Sequence, residues 1–101
     1  MKFSIITCVL NNSKNIKKSL ISFQNQVFKN KEHIIIDGGS TDGTLNIIKK
    51  NKKKNIKLVS SSDNGIYDAL NRGLKISKGK IIGILHSDDF YENKYVLNDV
   101  F

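Results

Sequence analysis

This 101-residue chain has one cysteine, Cys8, so no internal disulfide can form. A lone thiol fits a reducing compartment. No apolar run approaches the ~20 residues that a membrane span needs. The start, Met-Lys and then a short strand-like run, lacks the small-residue cleavage site of a secretory signal. No repeat, linker or low-complexity stretch interrupts the chain apart from a lysine run at 49–54. Several nucleotide and hydrolase signatures are also missing. Asn11 and Asn12 follow the first apolar run where a dinucleotide fingerprint would need G-x-G-x-x-G. Gly38 and Gly43 have P-loop spacing, but Thr44 stands where the P-loop lysine belongs, which disfavours ATP hydrolysis. There is no G-x-S-x-G elbow, and neither His33 nor His86 has an obvious serine nucleophile. His33 reads as a strand residue with a structural role.

What is present points to one small domain, residues 1–101. A chain of this length buries somewhat more than ~60% of its unfolded surface, enough for one core and not for two. The net charge of +8 comes almost wholly from lysine. A solvated surface is the plain reading of that charge. Attraction to an anionic membrane or to phosphorylated substrates is another. Nucleic acid is the sharpest reading, weakened because aromatics do not interleave with the basic residues as a single-strand binder requires; the charge alone does not choose among the three. Lysines at 49–54 fall where a helix should end, and cations there suit its dipole.

Apolar patterning alternates strand and helix. Strands are expected at 3–9, 32–36, 56–59 and 81–85. Ser13 is a plausible cap for a helix carrying Ile16, Leu20, Phe23 and Val27 at helical spacing. Thr41 or Asp42 offers a cap for a second helix starting near Gly43, with Leu45 and Ile48 inward. Ile66, Ala69, Leu70 and Leu74 mark one face of a third helix, with Gly79 near its end. The tail from Tyr91 reads as the start of another. Alternation of this kind implies right-handed βαβ units. The fold class is therefore α/β, an open, mostly parallel sheet with flanking helices.

The acids are the informative part. Seven of the nine are aspartates, and Asp37, Asp42, Asp63, Asp68, Asp88 and Asp89 fall in loops or helix starts next to strands. That distribution suggests a polar site assembled from several loops. Asp37 ends a buried strand, where open α/β sheets bind ligands. Gly38 and Gly39 permit positive φ and close backbone approach. The adjacent Asp88 and Asp89 repel each other unless a cation or water relieves them. They offer the hard oxygens that Mg²⁺ or Mn²⁺ takes beside a diphosphate. Capping a helix from Phe90 is the alternative use of the same pair. Asp68, Asn71 and Arg72 project from neighbouring turns, as ribose or phosphate contacts or as a plain surface face.

Four segments in register, FSIITCVLNN, IIIDGGSTDGT, SSSDNGIYDALNRG and LHSDD, resemble the nucleotide-binding half of the family 2 glycosyltransferases. SFQNQVF, at the end of the first helix, is similar as well. The resemblance runs from Phe3 to about Tyr91. It implies a Rossmann-like half of a GT-A fold that binds a nucleotide-diphospho-sugar, a UDP-sugar being the expected donor. By that resemblance Thr7, Cys8 and Asn11 lie against the nucleotide. Asp37, with Gly39 and Ser40, meets the base or ribose. Asp63, Gly65, Asp68 and Asn71 close over nucleoside and sugar. Ser87 and Asp88 border the diphosphate, and Asp88 and Asp89 hold the divalent cation, Mn²⁺ or Mg²⁺.

The resemblance also implies an inverting hexosyltransferase in polysaccharide biosynthesis, with a glycan or lipid-linked acceptor. It would be cytoplasmic, at the inner face of the plasma membrane if its lysines associate peripherally. The general base is expected beyond Phe101, which makes this chain the donor-binding half of a longer enzyme, with an apolar edge open to self-association. Three positions depart from the pattern. Asp37-Gly38 stands where many members have two aspartates. His86 occupies the first position of the D-x-D loop. Cys8, Val9 and Leu10 replace the usual Pro or Thr, and Tyr. A non-catalytic nucleotide-binding or interaction module on the same scaffold is the alternative.

Overall fold

The computed structural model describes residues 2–60 and 65–98. The elements alternate as β1 (Phe3–Val9), α1 (Ile16–Gln24), β2 (Lys31–Asp37), α2 (Thr44–Lys50), β3 (Ile56–Ser60), α3 (Ile66–Ile76) and β4 (Ile81–Ile84). The four strands are all parallel, in the order β3-β2-β1-β4. The central strands β1 and β2 are buried along nearly their whole length, as strands covered on both faces must be.

Alternation along each strand sorts side chains to two faces. On one face Val9, Ile35 and Ile56 pack with Ile16 and Leu20 of α1 and Ile48 of α2. On the other, Ile6, Ile34 and Ile36 pack under Ala69 of α3, with Leu70 and Ile76 alongside. Close approach of α3 requires Gly73, because a Cβ there would come within 2.8 Å of the Ile6 side chain. Leu74 is therefore not on the inner face, contrary to the sequence reading, and is 46% exposed. The inner stripe runs through a glycine, which a search for apolar residues passes over.

Two other expectations fail at helix ends. α1 stops at Gln24, so Val27 lies outside it and is exposed. Its start has no side-chain cap, and Asn15 precedes it in place of Ser13. Through Asn98 the tail from Tyr91 forms turns, with no α-helix among the described residues. Side chains of α1 and the turn after it capture the tail's amides. Ser22 Oγ accepts the Tyr91 N–H at 3.0 Å, and Gln26 Oε1 accepts the Leu97 N–H at 3.0 Å. Those amides are then not available to a helical ladder. Tyr91 and Leu97 instead fill a cluster with Phe3, Phe23 and Leu85.

At the edge, β4 pairs with β1 and with no other strand among the described residues, and it turns Ile82 and Ile84 outward, Ile84 being 57% exposed. An unpaired apolar edge invites pairing with another copy. Ile84→Lys should lower the apparent mass seen by sedimentation at high concentration. A wild-type chain that stays monomeric there would remove the basis for that expectation.

His33 is fully buried in β2, against the Phe23 ring at 4.5 Å between centroids. Its Nε2 meets Thr7 Oγ1 at 2.7 Å. Burial holds its pKa down at about 3. The folded state then binds this proton less readily than the unfolded chain. Its contribution to stability is complete above the ordinary value of about 6.5 and is lost as pH falls toward about 3. A His33→Leu variant should show a flatter loss of stability over that window in urea titrations at stepped pH. An unchanged profile would mean that His33 is not the group responsible.

Candidate functional site

All four strands point their carboxyl ends the same way, so the loops after β1, β2 and β4 meet at one edge of the sheet. Asn11, in the left-handed region at φ 50°, begins the joining. Its N–H donates to Ser40 Oγ at 2.9 Å, and its Oδ1 accepts the Thr41 N–H at 2.7 Å. The Asn12 N–H donates to Thr44 Oγ1 at 3.0 Å, and the Ser13 N–H donates to Asp42 Oδ2 at 3.1 Å. Asp42 also accepts from Thr44, by N–H at 3.1 Å and by hydroxyl at 2.5 Å. The Thr44 hydroxyl bond leads these contacts in holding the Asp42 carboxyl at about 2.

Asp37 organises the loop after β2. It is fully buried, and its Oδ2 accepts Gly39 N–H at 2.9 Å, Ser40 N–H at 3.0 Å and Ser60 Oγ at 3.0 Å. The Ser40 hydroxyl donates to Oδ1. Gly39 turns at φ 101°, which a side chain would resist. Burial works against ionisation, but the hydrogen bonds win and keep the Asp37 carboxyl below its usual range.

The loop after β4 closes onto the start of α1. Asn12 Nδ2 donates to Ser87 Oγ at 2.9 Å and to Asp88 Oδ1 at 2.7 Å. Asn15 Nδ2 donates to the same Asp88 oxygen at 3.1 Å. The Ser19 hydroxyl, buried on α1, reaches the Asp89 and His86 carbonyls. The uncapped start of α1 now has a cause. Asn15 turns its amide to Asp88, and Asp42 holds the backbone of Ser13.

The structure thus brings Asn11, Asp37, Gly39, Ser40, Ser87, Asp88 and Asp89 to one edge. Two site residues read from the sequence are turned elsewhere. The Thr7 side chain is buried against His33, and Cys8 packs beside Ile6 and Ile34 under α3. Gly65 and Asp68 lie at the start of α3 and Asn71 at its middle, on the opposite face of the sheet from α1. Asp63 lies outside the described residues. Asn12, Asn15, Ser19 and Thr44 join this edge without having been singled out in the sequence, while Asp42, read there both as a cap and as one of the loop acids, serves as both. The Asn12-x-x-Asn15 spacing directly after a strand was the available signal.

Asp88 and Asp89 are exposed. Among the described residues no group of three or more His, Cys, Asp or Glu comes together. This donor set does not make a protein-only metal cage. It does fit a hard cation that takes one or two carboxylate oxygens here and completes its shell from phosphate oxygens and water.

The family model for glycosyl transferase family 2 matches residues 4–99. The chain belongs to this family. Its fold is the GT-A architecture. An Escherichia coli relative, UDP-Glc:alpha-D-GlcNAc-diphosphoundecaprenol beta-1,3-glucosyltransferase WfaP, is 37% identical over 96% of this chain and 39% of its own length. An uncharacterised glycosyltransferase of Haemophilus influenzae is 35% identical over 92% of this chain and 30% of its own. The crystal structure of residues 1–349 of S. aureus TarS superposes with a TM-score of 0.90 at 34% identity, over 99% of this chain and 31% of that one. Further crystal structures show that protein with UDP and with UDP-GlcNAc. This family 2 chain spans about a third of the length of the relatives it matches.

Proposed function

We propose that this chain forms the donor-binding part of an inverting, cation-assisted glycosyltransferase that uses a UDP-sugar. The observation that carries the reading is the joining of three loops at the carboxyl edge, with Asp88 held by Asn12 and Asn15. The UDP-GlcNAc complex of the S. aureus relative supports the choice of donor. The nucleoside would lie along the loop that Asp37 shapes, with the diphosphate toward Ser87 and Asp88. Asp88 and Asp89 would hold Mn²⁺ or Mg²⁺, which supplies Lewis-acid neutralisation of charge on the leaving diphosphate. Asn12 and Asn15 keep the Asp88 carboxylate oriented for that contact. Neither aspartate suits the role of general base, because a bound cation lowers its basicity. The acceptor side of the reading is a glycan or lipid-linked saccharide, at the cytoplasmic face of a membrane.

Calorimetric titration with UDP, GDP and dTDP, each with and without Mn²⁺, tests the donor site. UDP should bind best, and only with the cation. Mn²⁺ alone should bind weakly, because phosphate oxygens are needed to complete its shell. Failure of all three nucleotides to bind would sink the reading.

A further inference from the structure

Charge is segregated along the strand direction. Aspartates gather at the carboxyl edge, while lysines gather at the amino edge. Lys29 precedes β2, Lys52, Lys53 and Lys54 precede β3, and Lys78 and Lys80 precede β4, and all six are exposed. Hydrogen bonds knit these strand starts into one surface. The Phe3 N–H donates to the Asn30 carbonyl at 3.0 Å and the Lys80 N–H to the Lys2 carbonyl at 2.9 Å. Gln24 Nε2 donates to Asn55 Oδ1 at 3.0 Å, fixing the β3 start against the end of α1. Glu32 lies near this end, but it is buried and neutralised by Lys57 Nζ at 2.9 Å. It does not offset the exposed lysines. Strand spacing spreads them over about 15 Å. At the rim, Val27 and Tyr95 are exposed, and the Val27 N–H donates to the Lys94 carbonyl at 2.8 Å.

We propose that this amino-edge face docks on an anionic phospholipid surface, leaving the carboxyl edge open to soluble ligands. Three observations favour lipid over nucleic acid. The charges are lysine ammoniums, point charges that need no fixed partner geometry, and the chain has no arginine fork at this end. The six lysines sit before β2, β3 and β4 with no aromatic interleaved in their runs, as a single-strand binder would need. An aliphatic side chain and a tyrosine at its rim suit the bilayer interface. The proposal stands apart from the donor-site reading, because it uses the opposite end of the sheet.

Flotation with vesicles of phosphatidylglycerol and phosphatidylcholine tests it. The chain should bind anionic vesicles, ignore vesicles of phosphatidylcholine alone, and release as salt rises. Each lysine near an anionic surface strengthens binding by about fivefold. Replacing all of Lys52→Glu, Lys53→Glu and Lys54→Glu should therefore weaken binding by about a hundredfold or more. The control carries the same charge change elsewhere, as Lys14→Glu, Lys17→Glu and Lys18→Glu at the start of α1. It should lose far less. Circular dichroism checks that both variants fold. Equal losses from the two variants would overturn the proposal in favour of diffuse net charge. So would tighter binding to duplex DNA than to the vesicles at equal salt.

Discussion

Asp88→Ala is expected to abolish the Mn²⁺-dependent part of UDP binding, a loss of about a hundredfold or more in affinity. The argument rests on preorganisation. An exposed carboxylate on a loop tip ordinarily samples several rotamers. Here two amides, from Asn12 at 2.7 Å and Asn15 at 3.1 Å, converge on Asp88 Oδ1 and fix the group. Asn12→Ala should weaken Mn²⁺-dependent binding by about tenfold, as removal of an outer partner of a ligand does. Asp89→Ala should do less than Asp88→Ala, because the structure fixes the main chain of Asp89 through Ser19 and leaves its side chain exposed. Asp88→Ala also loses the two exposed hydrogen bonds from Asn12 and Asn15, so it should cost about 1 kcal/mol of stability, far too little to unfold the chain. UDP binding by Asp88→Ala that still rises with Mn²⁺ as in the wild type would refute this assignment.

The parallel sheet was legible because burial on both faces leaves near-continuous apolar runs, such as Ile34, Ile35 and Ile36, between turn residues. The family was legible because the loops at the strand ends carry polar segments, such as IIIDGGSTDGT and LHSDD, in a fixed order along the chain. Val27 and Leu74 were misplaced because helical spacing says nothing about where a helix stops or whether a glycine faces the sheet. The tail after Tyr91 was misread for a similar reason. Its conformation is set by Ser22 and Gln26, residues some seventy positions away, through tertiary hydrogen bonds. Asn12 and Asn15 escaped because asparagine after a strand also caps helices and makes turns. Only the closure of the β4 loop onto α1 reveals that they serve Asp88. Thr7 shows what a family resemblance leaves open. The resemblance sets the segment from Thr7 to Asn11 against the nucleotide without saying where each side chain points, and the pleat turns that of Thr7 inward to His33.

Asp37→Ala should produce the largest loss of stability in the chain, about 3 kcal/mol or more. The carboxylate accepts Gly39 N–H, Ser40 N–H and two hydroxyls, and it is fully buried. Alanine would leave the two amides without their acceptor and cut the link from β2 to Ser60 on β3. With urea slopes near 1–3 kcal/mol/M, the unfolding midpoint should fall by about 2 M. Asp37→Asn keeps one acceptor oxygen, and the serine hydroxyls can rotate to accept from its amide, so its loss should be less than half as large. The pH dependence carries the same signature. Asp37, Asp42 and Glu32 all have carboxyls held below their ordinary range, the latter two at about 2. The folded state therefore releases their protons more readily than the unfolded chain. Their contribution is fully present above the ordinary carboxylate range and is lost as pH falls through the folded values. Asp37→Asn should remove part of that acid-dependent loss while leaving the His33 portion at higher pH intact. An Asp37→Ala midpoint within experimental error of the wild type would show that the loop holds its shape without the carboxylate.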